Sequence, residues 1–184
     1  MDHSLLTKVA QKLTEAPAYA EQSQGSILAI AARFYGSRPQ GEEVTQPTGF
    51  DPAAAALFEA VIESAFIVAN ADGEFDDTER AAFQFVVLAA CNNKVTESQV
   101  VALLADLEDL LKEDGVDKRV EMVARTITTP EQAREVLRIA GLIAHVSAGV
   151  SDVERRVLEK LTSQFGLDPA ILDETLKEVT AVVD

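Results

Sequence analysis

Leu5, Leu6, Val9 and Leu13 fall on one face of a helical wheel, and that spacing predicts a short amphipathic helix over 4–16 that stops near Pro17. Ile27, Ile30, Ala31 and Phe34 predict a second apolar helix over 18–35, with Gly25-Ser26 as a kink. Residues 36–50 break the pattern with two prolines, three glycines and mostly polar side chains, which predicts a flexible linker. The chain therefore divides into an N-terminal helical extension over 1–35, the linker over 36–50 and a main helical domain over 51–184.

Within the main domain, starts and stops are marked by capping residues. Asp51 stands before Pro52 as an N-cap before a proline at the first helical position, and the helix it opens runs to about Ala71. Its later part, Ala65 to Ala69, is apolar on nearly every side, as in a helix surrounded by others. Asp76 with Glu79, Thr96 with Gln99 and Ser151 with Glu154 have capping-box spacing. They predict helices from about 77 to 91, from about 97 to Gly115, and from about 152 to Gly166. Asp117 is expected to cap a shorter helix to about Thr126. Thr129-Pro130, with Gln132 in the box position, opens the helix that turns wholly apolar at 139–144. Asp168-Pro169 starts the last one. Val86-Val87 and Val182-Val183 sit inside helical periods, so no strand is expected.

The order of elements contains a repeat. Setting Asp72 against Ser147 places Phe75 on Val150, Asp76 on Ser151, Asp77 on Asp152, Glu79 on Glu154 and Arg80 on Arg155. In both copies an apolar helix enters the turn. The expected fold is all-α: a compact helical bundle made from two pseudo-repeated helix-turn-helix hairpins that bury their apolar helices against each other, with the N-terminal helical extension added.

Composition narrows the function. The 184 residues carry 16 basic and 31 acidic side chains, a formal charge of -15, which repels nucleic-acid backbones and anionic lipid and favours cations and basic partners. The single cysteine, Cys91, excludes an internal disulfide and fits a reducing compartment, so a soluble cytoplasmic protein is expected. No basic leader followed by an apolar stretch is visible at the N-terminus, and no run approaches a membrane span, so no transmembrane segment is expected. No nucleophile elbow, phosphate loop or His-Glu-x-x-His pattern occurs, and the protein is not expected to be an enzyme.

The first turn holds the candidate site: Asn70, Asp72, Glu74, Asp76, Asp77 and Glu79. In the register of a calcium loop, Asn70, Asp72, Gly73 and Glu79 take the third, fifth, sixth and twelfth positions, and Phe75 the apolar eighth. The leading carboxylate is replaced by Val68. Capping alone accounts for Gly73, Asp76 and Glu79. Asp72 and Glu74 are the acids left over, near the negative end of the preceding helix, where a cation or base would offset them. A weakly held divalent cation (Ca, Mg, Mn or Zn) is one expectation. The other is a pure protein–protein interaction surface for basic residues. His145, which aligns with Asn70, reads as a packed or capping residue, Cys91 as a small buried side chain, and the acidic run 106–117 as a solvated helix face.

Ala71-Asp72-Gly73-Glu74-Phe75-Asp76-Asp77-Thr78-Glu79, Pro130-Glu131-Gln132-Ala133 before an apolar helix, and Gln164-Phe165-Gly166-Leu167-Asp168-Pro169 occur in an order that resembles the tellurite-resistance TerB family over about 53–176. The resemblance implies an all-helical TerB-like domain and an accessory role in tellurite or general stress resistance. It also implies a divalent-metal role for acidic residues and docking to membrane-associated partner proteins, which would put a cytoplasmic protein at the periphery of the inner membrane through a partner. Ser147-Ala148 replaces the second Asp-Gly of such relatives.

Overall fold

Asp51 opens the most apolar helix of the chain by accepting hydrogen bonds from the backbone N–H groups of Ala53 (2.9 Å) and Ala54 (3.2 Å). The computed structural model describes residues 3–17, 19–20, 25–37, 51–73, 75–146 and 149–183. Among the described residues there are eight helices and no strand: α1 (His3–Thr14), α2 (Ile27–Gly36), α3 (Pro52–Ala69), α4 (Asp77–Ala90), α5 (Glu97–Thr126), α6 (Pro130–Ala144), α7 (Asp152–Gln164) and α8 (Pro169–Val183). The all-α expectation is met. The linker prediction falls mostly on residues outside those described.

The two helices that enter the turns through wholly apolar late segments, α3 and α6, pack against each other at the centre. Phe58, Ile62 and Phe66 of α3 and Leu137, Ile139 and Leu142 of α6 are fully buried there. Helix α5 covers α3 and α8 covers α6, while α4 and α7 follow the two turns, so the paired-hairpin arrangement read from the repeat is present. α3 has 18 residues with mean hydropathy 1.7, long and apolar enough to cross a membrane, which corrects the expectation that no run approaches that length. Its composition is that of a central helix, and 61% of the segment is buried within the bundle.

The N-terminal helices belong to the same core. α1 lies on α4, burying Leu6, Val9 and Leu13, and α2 lies on α3, burying Leu28 and Tyr35. The second helix starts later than the expected 18, at Ile27, because distant groups fix its first turn. Ser26 accepts from the Ala29 N–H (3.1 Å) and donates to the Leu13 carbonyl, and Glu135 of α6 accepts from the Ile27 N–H (2.7 Å). Gly36 closes α2 instead of opening the linker. A Cβ there would sit 1.6 Å from the Lys94 carbonyl oxygen, so only glycine lets α2 meet the turn before α5.

The expected break at Gly115 is present, with φ 76 and ψ 165, a conformation open to glycine but strained for other residues. Helix resumes directly after it, so Asp117 lies inside the second arm and does not cap it. The three capping boxes form with both reciprocal bonds. At Thr129 only half of the pattern forms, because Gln132 reaches the N–H of Thr128.

Candidate functional site

The first turn begins where α3 runs out at Asn70, whose N–H still reaches the Phe66 carbonyl at 2.9 Å. Gly73, at φ 80, bonds back to the Asn70 carbonyl at 3.1 Å and turns the chain towards α4. Phe75 then drops inward and meets Phe66 and Phe83 edge-on at centroid separations of 5.4 and 6.0 Å. Over its outer face lies the Arg80 guanidinium, 5.3 Å from the ring centroid. These contacts pin the turn to the core from below.

The acidic side chains divide into two groups. Asp76 and Glu79 are committed to architecture: Asp76 accepts from the Glu79 N–H at 2.8 Å and Glu79 from the Asp76 N–H at 3.2 Å. Asp77 is exposed in the first turn of α4, on the positive end of its helix dipole. Asn70 and Asp72 instead line a surface groove of about 520 Å³ that runs from the turn to α5. Glu74 lies outside the described residues.

The far wall of that groove is built by Glu108, Leu111, Lys112, Gly115 and Val116. Reading 106–117 as a solvated face missed this wall. The positions 108, 111, 112 and 115 share one helical face, and Arg80 on the facing helix was the other available signal. Glu108 accepts from Arg80 (2.7 Å) and Lys112 (2.9 Å), and these two cations hold its carboxyl below the usual carboxylate range, Lys112 contributing first. Asp114 pairs with Lys118 and with Arg119 (3.1 Å), and its carboxyl is likewise lowered, Lys118 contributing first. Arg119 continues inward to Glu63 on α3 (2.6 Å), a nearly buried pair that ties the second arm of α5 to the central helix.

The fit to a divalent cation is partial. Val68 is fully buried in α3, so the leading calcium-loop ligand is missing, and the Glu79 carboxylate is engaged by the backbone. Among the described residues no group of three or more His, Cys, Asp or Glu side chains is placed to hold a metal ion. At the second turn His145 caps α6, its Nδ1 lying 3.2 Å from the Gly141 carbonyl. Ser147 and Ala148 lie outside the described residues. Cys91 is buried against the core and burial pushes its thiol up to about 12.

Two capped helical hairpins around one buried core, with an acidic first turn beside a groove, define an all-α domain of paired-hairpin type. Residues 58–176 match the family described as Tellurite resistance protein TerB, and the chain belongs to that family. No curated protein and no solved structure matches the chain. The family match leaves α1, α2 and the start of α3 outside it, although they complete the same buried core.

Proposed function

We propose that the protein is a non-enzymatic accessory component of a tellurite- or stress-resistance system that works by docking, with the groove between the first turn and α5 receiving a basic, partly apolar segment of a partner protein. The observation that carries this reading is the make-up of the groove. Leu111, Val116 and Phe75 supply apolar surface, and Asp72 and Glu108 bring carboxylates to a rim that also carries Lys112, the partner of Glu108, on a chain with formal charge -15. Steering of a basic segment follows from that field and weakens with salt. The protein would act in the cytoplasm, and any membrane association would come through its partner, because α3 spends its apolar surface inside the bundle.

A second reading keeps a weakly bound divalent cation at the same turn, supported by Asn70 and Asp72 on the groove rim and by Gly73 in the sixth place of the loop pattern. Bound there, the ion would neutralise the turn and rigidify it; the protein residues offering oxygens are Asn70 and Asp72, with Glu74 beside them in sequence.

One experiment separates the two. Partner proteins are co-purified from native cells with the wild-type chain and with Asp72→Asn plus Glu108→Gln, each with and without chelator. The docking reading expects capture that survives chelator and is lost in the double variant. Loss with chelator alone overturns it in favour of the cation, for which calcium, magnesium, manganese or zinc should then raise the melting temperature. At one hundred times Kd that gain is about 2.7 kcal/mol.

A further inference from the structure

Arg138 stands just before the wholly apolar late segment of α6, and it is 92% buried, as its 8% relative exposure shows. Buried cations are normally matched by an anion. Among the described residues Arg138 forms no salt bridge; the buried Glu135 carboxylate interacts with it electrostatically but is turned to the Ile27 N–H. Its Nη2 donates to the carbonyl oxygens of Lys12 (2.6 Å) and Glu15 (3.3 Å), at the end of α1. Its Nη1 is buried and has no acceptor.

Two more unpartnered buried donors occupy the same region. One turn earlier on the same face of α6, the Arg134 guanidinium lies over the Tyr19 ring, 4.2 Å from the centroid, and its Nε has no partner. The Tyr19 hydroxyl is buried and unpartnered too, within electrostatic reach of both arginines. These are the only buried side-chain polar atoms without a partner among the described residues, and all three belong to the junction of α6 with the chain leaving α1. Such groups are rare in folded proteins and call for a partner. A single water accepts only two hydrogen bonds, fewer than the three donors present. An oxyanion offers acceptors enough for all three donors, in charge-assisted bonds to the two guanidinium groups.

We propose that the Tyr19, Arg134 and Arg138 cluster is a binding site for a small oxyanion of the phosphate or carboxylate class. It is separate from the acidic groove, on the opposite side of the functional reading: one site favours cations, the other an anion. Glu135, Glu174 and Glu178 stand around it and set its limit. Glu135 is turned to the Ile27 N–H, while Glu174 and Glu178 occupy the outer guanidinium edge of Arg134, leaving its Nε inward. A compact anion of one or two charges fits these surroundings better than a polyanion, which the three carboxylates would repel.

The test uses the full chain, with inorganic phosphate and acetate as the probes and chloride at matched ionic strength as the reference. The chain has two tyrosines and no tryptophan, so tyrosine fluorescence reports on Tyr19 without interference from indole, alongside the melting temperature. Expected is a saturable rise in melting temperature with a parallel fluorescence change, stronger for phosphate if the site is tetrahedral and for acetate if it is planar. Tyr19→Phe and Arg134→Lys, which keep the ring and the charge, should each weaken the apparent affinity about tenfold. The proposal is overturned by no saturable change with either anion, by a linear rise of the kind surface-excluded salts produce, or by the same saturation curve in both variants.

Discussion

Arg80 and Arg155 stand 75 residues apart at the same place in the two hairpins, and each ties its helix to the following one, Arg80 to Glu108 of α5 and Arg155 to Asp173 of α8. The surroundings differ. Arg80 is more enclosed, stacks on Phe75 and shares Glu108 with Lys112, whereas Arg155 and Asp173 are largely exposed. Urea unfolding should therefore show Arg80→Ala losing about 1–1.5 kcal/mol and Arg155→Ala less than about 0.5 kcal/mol. Equal losses would mean that the ion pairs alone, without the Phe75 contact, set the effect.

The capping box at the first turn separates architecture from charge. Asp76→Asn keeps an N-cap acceptor and removes a negative charge, so its stability should stay close to wild type. Asp76→Ala should lose about 1 kcal/mol. Should the Asn variant fall as far as the Ala variant in chemical denaturation, the carboxylate charge would matter beyond its hydrogen bond.

Acid should weaken the ion pairs that α5 makes through Glu108 and Asp114. Glu108 and Asp114 have folded values lowered by their lysine and arginine partners, so the unfolded chain binds protons more readily than the folded one. Their contribution is present in full above the ordinary values of 4.5 and 3.8 and is lost as pH falls through the lowered ones. Melting temperature followed from pH 7 downward should drop below about pH 4.5 less steeply in Lys112→Gln than in wild type. An unchanged slope would detach Glu108 from the acid transition.

Much of this was legible in the sequence because helix ends are written locally. Asp51, Asp76, Thr96 and Ser151 each act on N–H groups within three residues, so pattern alone places them. The same holds for the repeat and for Gly115. The start of α2 was not legible, since Leu13 and Glu135 fix it from 13 and 108 residues away. Nor was the groove, whose two walls lie on α5 and on a turn more than thirty residues earlier. Acid content pointed to the turn, but the pairing of Asp76 with Glu79 removes two of its carboxylates from service, and the facing wall at Glu108 and Lys112 carries no motif. Gly36 was likewise not legible as a helix end, because the Lys94 carbonyl that demands glycine there lies 58 residues away.

Gly36 gives a direct test of that last reassignment. As a linker residue it would tolerate alanine without effect. At the end of α2 its added Cβ would overlap the Lys94 carbonyl at 1.6 Å, and backbone atoms cannot swing aside as a flexible side chain can. Relieving that overlap means shifting α2 against the turn at Lys94-Val95, and overpacking of this kind costs about 1–3 kcal/mol. The shift would also loosen the Tyr35–Phe58 contact, whose centroids are 4.5 Å apart. Gly36→Ala should thus lower the urea midpoint with little change in its slope, and ring resonances of Tyr35 and Phe58 should move while those of Phe75 and Phe83 stay in place. A neutral substitution would return residue 36 to the linker.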